Sequence, residues 1–291
     1  MPKAVAPSLL PNMKPFGWTG IPVATIGQGT WRMGDSRRER VREIAALQLG
    51  LDLGLTHIDT AEMYGDGGAE EIVAAAIRGR PRREIFVTSK VLPQHATRRG
   101  TVRAAEQSLR RLGTEYLDLY LLHWPSAHAI GETMAAMEDL VQAGKIRFFG
   151  VSNFDVTALQ EAMAALGRGR IACNQVLYHL GTRGIELDLI PFCRKHEIAL
   201  VGYTPFGKGA ASRKSGNAVL EAVGARYGKT ARQVTLSFLT RAAGLFTIPK
   251  AVTPEHVREN AGADFRLAPA DLALIDRAFP SPKRPGTLQT A

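Results

Sequence analysis

Four side chains in the first half of the sequence are of types that move protons and hold charge: Asp59, Tyr64, Lys90 and His123. Asp59 and Tyr64 share the segment Asp59-Thr60-Ala61-Glu62-Met63-Tyr64-Gly65, where an acid at the end of a short apolar run is followed by a loop tyrosine. Lys90 ends Ile85-Phe86-Val87-Thr88-Ser89. A strongly hydrated ammonium there needs a carboxylate partner, and Asp59 on the neighbouring run is within reach. His123 ends Leu119-Tyr120-Leu121-Leu122 and precedes Trp124-Pro125, which sets its imidazole beside a large aromatic surface. Taken singly, each has a plain structural reading: a helix cap, a packed ring, a structural ion pair, a satisfied core histidine. Gathered in one place, a carboxylate, a phenol, an ammonium and an imidazole form acid–base machinery.

Periodicity supplies the gathering. Short apolar runs at Ala24–Thr30, Thr56–Asp59, Ile85–Lys90, Leu117–His123, Arg147–Ser152, Ile171–Gln175, Ile198–Tyr203 and Leu245–Lys250 read as strands. Amphipathic stretches at Arg38–Leu53, Ala69–Ile77, Thr101–Leu112, Thr133–Ala143, Val156–Ala165, Leu187–His196 and Ala231–Ala242 read as helices, with Asn217–Tyr227 as an extra one. Asp155, Thr230 and Thr253 are candidate N-caps, and Gly113, Gly144 and Gly244 candidate left-handed C-caps. Strand and helix alternate with a period of roughly 30 residues, which predicts an α/β fold of the (β/α)8 TIM-barrel type over 1–291, with extra helices near the C-terminus. All strand ends of such a barrel open on one face, so Asp59, Lys90, His123, Ser152 with Asn153, Gln175, Tyr203 and Lys250 converge there. Phe16-Gly17-Trp18-Thr19-Gly20-Ile21 reads as an N-terminal β-hairpin capping the barrel bottom, and the Pro-rich tail Pro280–Pro285 as irregular chain over the top.

The 291 residues are 45% hydrophobic and 22% charged, enough apolar side chain for a large core and too ordered a composition for a disordered or fibrous chain. No apolar run has the roughly 20 residues of a membrane span. Pro2, Pro7, Pro11 and Pro15 break the start where a signal peptide needs an apolar helix, so a cytoplasmic protein without membrane contact is expected. Cys173 and Cys193 fit neither a disulfide framework nor a metal site. The net charge of +10 suits nucleic acid, an acidic surface or a phosphorylated small molecule. The basic clusters Arg37/Arg38/Arg40/Arg42, Arg78/Arg80/Arg82/Arg83 and Arg98/Arg99/Arg103 carry no interleaved aromatic residue, which reads as solvated helix faces rather than a nucleic-acid surface.

In these contexts Asp59, Tyr64, Lys90 and His123 resemble the catalytic tetrad of the aldo-keto reductases. Gly150-Val151-Ser152-Asn153-Phe154, Asn174-Gln175-Val176, Tyr203-Thr204-Pro205-Phe206-Gly207 and Ile248-Pro249-Lys250 are similar to further motifs of that family. The resemblance spans Gly27 to Asn260, and Ile58–Glu71, with Asp66-Gly67-Gly68-Ala69-Glu70, resembles bacterial members that reduce methylglyoxal and related small aldehydes. It implies NADPH-dependent reduction of small aldehydes and ketones, with a small carbonyl compound as partner and a monomeric enzyme. Tyr64 would then give the proton. Free tyrosine titrates near about 10; a neighbouring ammonium, Lys90, eases its release, and Asp59 anchors Lys90. Neutral His123 would orient and polarise the carbonyl oxygen.

The resemblance further implies that Ser152, Asn153 and Gln175 hold the nicotinamide carboxamide and that Tyr203 stacks on its ring. Thr30, Trp31, Asp59, Thr204, Pro205, Ile248 and Pro249 complete the cofactor contacts. The phosphates fall to Phe206-Gly207-Lys208-Gly209, to Lys250 and to the helix start at Thr253-Pro254-Glu255. No Rossmann fingerprint competes, since Gly27-Gln28-Gly29 is followed by Gly34 at the wrong spacing. Glu259 and Asn260 match the family form of the last segment, whereas Ala251 and His256 stand where serine and arginine are commoner. An imidazole in place of a five-donor guanidinium predicts weaker discrimination for the 2'-phosphate, hence tolerance of NADH. Trp31, Tyr64 and Trp124 would wall the substrate pocket and the loop Lys208–Gly216 refine it; His57 reads as a hydrogen-bonded core residue. Two rivals stay open. A metal-dependent barrel hydrolase wants two histidines one residue apart on the first strand, which are lacking, so no metal is expected. A weakly catalytic sensor or regulatory subunit on the same fold conflicts with an intact tetrad.

Overall fold

The computed structural model describes residues 13–207 and 214–290. Strands β1 (Met13–Pro15) and β2 (Pro22–Ala24) pair antiparallel around a single 3₁₀ turn at Gly17–Thr19. Gly17 has φ 54°, and a Cβ there would stand 2.3 Å from the Glu197 carbonyl oxygen, so only glycine lets this turn press against the barrel. The hairpin drives Phe16, fully buried, between Phe86 and Phe246, with ring centroids 5.1 and 5.0 Å away. The expected bottom cap is thus an aromatic plug.

Eight parallel strands follow: β3 (Gln28–Gly29), β4 (His57–Asp59), β5 (Phe86–Val91), β6 (Leu117–Leu122), β7 (Ile146–Ser152), β8 (Cys173–Leu177), β9 (Ala199–Tyr203) and β10 (Leu245–Thr247). Each pairs with its sequence neighbour, and a parallel bridge from Ile26 to Thr247 closes the ring, with Gly27 N–H donating to Thr247 O at 2.8 Å. Two expected strands are shorter than the apolar runs. Ala24–Thr30 splits, because Ala24 pairs backwards with Met13 in the hairpin before the chain enters the barrel. Leu245–Lys250 leaves the ladder after Thr247, since Pro249 has no N–H to give; its carbonyl instead accepts from Gly29 N–H at 3.1 Å.

The helices are α1 (Arg40–Asp52), α2 (Gly68–Ile77), α3 (Arg98–Leu112), α4 (Ile130–Gln142), α5 (Val156–Ala164), α6 (Leu189–Lys195), α7 (Lys214–Tyr227), α8 (Ala231–Leu239), α9 (Pro254–Ala261) and α10 (Pro269–Ala278). Asp155, Thr230 and Thr253 accept the expected capping bonds, Thr230 within a full capping box. Gly113 and Gly144 close α3 and α4 in left-handed conformation, but Gly244, also left-handed, turns the chain five residues beyond α8 and caps nothing. α10 follows no strand and lies outside the strand–helix repeat. The helices bury their apolar faces on the outside of the barrel, with Val87 and Val91 of β5, while the inner core holds Phe16, Phe86, Leu119, Leu121, Val201 and Phe246. Strict alternation along β5 therefore carries Phe86, Thr88 and Lys90 inward. The basic clusters are in part paired with acids, as in Arg82–Asp118 and Arg80–Asp52, both 2.7 Å, and Arg98–Asp139 at 2.8 Å. Among the described residues no helix is long and apolar enough to cross a membrane.

Candidate active site

The strand ends surround a cavity of about 890 Å³ at the top of the barrel. Its floor is built by β4, β5 and β8. Lys90, with 0% of its surface exposed, places Nζ 2.5 Å from Asp59 Oδ1, 2.9 Å from Thr60 O and 3.3 Å from the Tyr64 hydroxyl. Three acceptors meet the three protons of the ammonium. Burial opposes its charge, but Asp59 and Tyr64 outweigh this and hold the Lys90 pKa above its ordinary value. Tyr64 reaches this position because Gly65, φ 58°, bends the loop against Met33 and Gly34, where a Cβ would lie 2.9 Å from the Met33 carbonyl oxygen. Burial raises the Tyr64 pKa more than Lys90 lowers it, so the resting phenol keeps its proton, while the ammonium stands ready to receive the phenolate.

His123, just beyond β6, packs on Tyr64 and Trp124 with centroids 5.6 and 4.8 Å away. Burial, with Lys90 as the second cause, drives its pKa down to about 2, so the imidazole is neutral. Its Nδ1 is buried without a partner among the described residues, which leaves Nε2 as the nitrogen to meet a ligand. His57, two residues below Asp59, is the core histidine expected, but without the normal hydrogen bonds expected of it. It is fully buried and edge-on to Phe86, neither ring nitrogen has a hydrogen bond of normal geometry, and burial lowers its pKa to about 4.

The other wall is wired together. Gln175 Nε2 donates to Asp59 Oδ2 at 2.6 Å, Ser152 Oγ donates to Gln175 O at 2.8 Å, and Asn153 Nδ2 donates to His123 O at 3.1 Å. The Tyr203 hydroxyl donates to Asn153 Oδ1 at 2.8 Å. Asn153 holds a left-handed backbone, φ 61°, with its N–H on Gln175 O. Thr204, Pro205, Phe206 and Gly207, with Thr30, Trp31, Ile248 and Lys250, also line the cavity; Trp31 packs edge-on to Tyr64 at 5.0 Å, and Trp124 lines it beside His123.

Other expected residues stay outside the cavity wall. Pro249 bonds Gly29 through its carbonyl, Ala251 packs into a side cluster of the core, and His256 is exposed on the first turn of α9. Glu259 accepts from Thr230 Oγ1 at 2.6 Å and pairs with Arg232 at 3.0 Å, and Asn260 is buried with its Oδ1 unpartnered. α9 starts at Pro254, seven residues after β10 ends, which sets its residues beyond the strand ends that build the cavity. Lys208 and Gly209, and the loop Lys208–Gly216 up to 213, lie outside the described residues. Sequence reasoning missed Arg32, which adds a cation to the lip, and Thr290, which the tail brings onto the cavity wall. An arginine directly after Trp31 was a signal for the first; an aperiodic tail offered none for the second.

A larger cavity, about 1000 Å³, lies beside the hairpin at the barrel bottom, where Lys14 binds the Ala242 carbonyl near Asp264 and Arg241 binds the Tyr178 hydroxyl, the Phe238 carbonyl and Glu186, with no carboxylate–ammonium–phenol set like that of the upper cavity among the described residues. Chemistry, not size, singles out the upper cavity. Among the described residues no group of three His, Cys, Asp or Glu side chains could hold a metal ion.

Comparison with known proteins agrees with this geometry. Residues 25–279 match the model of the Aldo/keto reductase family. Methylglyoxal reductase YeaE of Escherichia coli is 46% identical over 266 residues, 90% of this chain and 93% of that protein. Two Klebsiella pneumoniae structures, an aldo/keto reductase in complex with NADP and acetate and an aldo-keto reductase in complex with NADPH, each superpose with a TM-score of 0.90 at 45% identity, covering 96% of this chain and 99% of theirs. The chain belongs to the aldo/keto reductase family.

Proposed function

We propose that the protein reduces small aldehydes and ketones, methylglyoxal and aromatic aldehydes among them, to alcohols with NADPH, and that Tyr64 is the proton donor. The observation that carries this reading is the Tyr64 hydroxyl 3.3 Å from a fully buried Lys90 that is itself held 2.5 Å from Asp59, beneath an open cavity. The residues present fit the cofactor. A neutral imidazole and amide groups gather at one end of the cavity, and the cations Arg32 and Lys250 at the other suit an anionic diphosphate. Ser152, Asn153 and Gln175 would hold its carboxamide, Tyr203 its ring, and Phe206, Gly207 and Lys250 its phosphates.

Bound NADPH supplies a hydride to the carbonyl carbon. Tyr64 gives its proton to the carbonyl oxygen as the C=O electron pair moves onto that oxygen, and Lys90 stabilises the phenolate left behind until solvent returns the proton. His123, neutral, donates from Nε2 to the same oxygen and fixes the carbonyl between itself and Tyr64. Trp31 and Trp124, part-exposed at the lip of the cavity, would flank the reacting carbonyl. One chain carries every side chain this reading uses, so a monomer suffices for it. Residues 1–291 would act as one domain, and an internal, cytoplasmic setting accords with two cysteines kept as thiols. The test is steady oxidation of NADPH by the purified protein over a panel of small carbonyl compounds. Turnover with methylglyoxal is expected; binding of NADPH without turnover of any carbonyl would reject the reading.

A further inference from the structure

One bond in the site does work that holding a cofactor does not require. Gln175 Nε2 stands 2.6 Å from Asp59 Oδ2, between strands β8 and β4 and 116 residues apart in sequence. Asp59 and Gln175 are both almost fully buried, at 1% and 2% exposure. The other oxygen of the same carboxylate holds Lys90 at 2.5 Å. The bond therefore crosses the barrel interior and ties the wall that faces the cofactor to the floor that faces the substrate. A buried carboxylate needs donors on both oxygens, and Lys90 has no further proton to give, because Thr60 O and the Tyr64 hydroxyl take the other two.

We propose that Gln175 is a positioning residue for the proton donor: its amide pins Asp59 so that Oδ1 faces Lys90, and it takes up part of the carboxylate charge so that the ammonium is free to act on Tyr64. This rests on the reading of Tyr64 as the acid. Without the amide donor, Oδ2 has no partner, the whole carboxylate charge falls on Lys90, and the phenolate loses support. The groups that face the Tyr64 hydroxyl and ring are Lys90, Asp59 and His123, and His57 and Cys173 lie close enough to Asp59 to feel its charge. His123 and His57 are held neutral and the Cys173 thiol is pushed well up, so the set formed by Tyr64, Lys90 and Asp59 governs the alkaline limb.

The test compares Gln175→Met, of similar length without a donor, with Gln175→Glu, which keeps the shape and can donate only when its carboxyl is neutral. At saturating NADPH and carbonyl, kcat of Gln175→Met is expected to fall about 10- to 100-fold, and its alkaline limb to move up by about one pH unit. Gln175→Glu is expected to regain kcat as the pH falls, which Gln175→Met does not, and it carries the test should the Met variant fail to fold. Dinucleotide affinity is measured in parallel by quenching of tryptophan fluorescence. Raised Kd in both variants with kcat and the alkaline limb as in the wild type would overturn the proposal, leaving Gln175 a cofactor contact alone. Tyr64→Phe is run beside them: full turnover in that variant would reject the proton-donor reading itself, whereas its loss together with unchanged kcat in the Gln175 variants would reject only the proposal.

Discussion

The two ends of the barrel are made by the same eight strands and have opposite characters. At the bottom, Phe16, Phe86 and Phe246 pack ring on ring, and His57 among them has no hydrogen bond of normal geometry and refuses a proton until about pH 4. At the top, two to four residues further along, the inward positions are Asp59, Lys90, Ser152, Gln175 and Tyr203, whose side chains are held by hydrogen bonds. The lesson is a division of labour along each strand: apolar contact at the amino end holds the ring closed, so that charges which could not support a fold by themselves are kept at fixed distances at the carboxyl end.

Breaking either end should therefore leave different marks. Lys90→Met is expected to lose about 10²- to 10⁴-fold in turnover and, by leaving Asp59 buried and uncompensated, about 3–5 kcal/mol of stability; urea unfolding and steady-state rates read both. Phe16→Ala should cost about 3–5 kcal/mol through the cavity it opens, with KM for NADPH and carbonyl unchanged, and a shift in KM would show that the ends are not separable. His57 makes the bottom sensitive to acid. Below its ordinary 6.5 the unfolded imidazole binds a proton that the folded one refuses until about pH 4. That difference removes about 3 kcal/mol as the pH falls through this window. Relative to the wild type, His57→Leu should gain about 3 kcal/mol in unfolding free energy between neutral pH and pH 4; curves that stay parallel would contradict the assignment. The smallest effect belongs to the outer rim. His256→Arg should raise the preference for NADPH over NADH about tenfold in kcat/KM. A wild-type preference already above about 10³ would count against tolerance of NADH.

The chemistry was the most legible part of the sequence, because a titratable residue at the end of an apolar run is anomalous in any strand, and Asp59, Lys90 and His123 each stand out so. The barrel followed from the repeat of those ends. What the linear pattern could not carry depends on closure. The Gln175–Asp59 bond joins strands that meet only across the finished ring. The first strand read as one run because apolar residues serve the hairpin and the barrel alike, and only pairing with Met13 divides them. Thr290 reaches the cavity through a tail without periodicity, fastened by Arg183 to Phe279 O, by Ser281 to Glu186 and by Gln289 to Thr182. Pro269–Ala278 carries a helix signal, with proline in its first turn and Leu272, Leu274, Ile275 and Ala278 packed on the core, but it follows no strand and so falls outside the strand–helix repeat from which the barrel is read.

The central claim is that one phenol supplies the proton. Tyr64→Phe removes a single oxygen and leaves Lys90, Asp59 and the cavity walls in place. Single-turnover reduction of methylglyoxal by the NADPH-loaded variant, with NADPH affinity measured on the same sample, is the most direct test. A rate lowered about 10²- to 10⁴-fold at unchanged affinity is expected; a rate within a few-fold of the wild type would contradict the account.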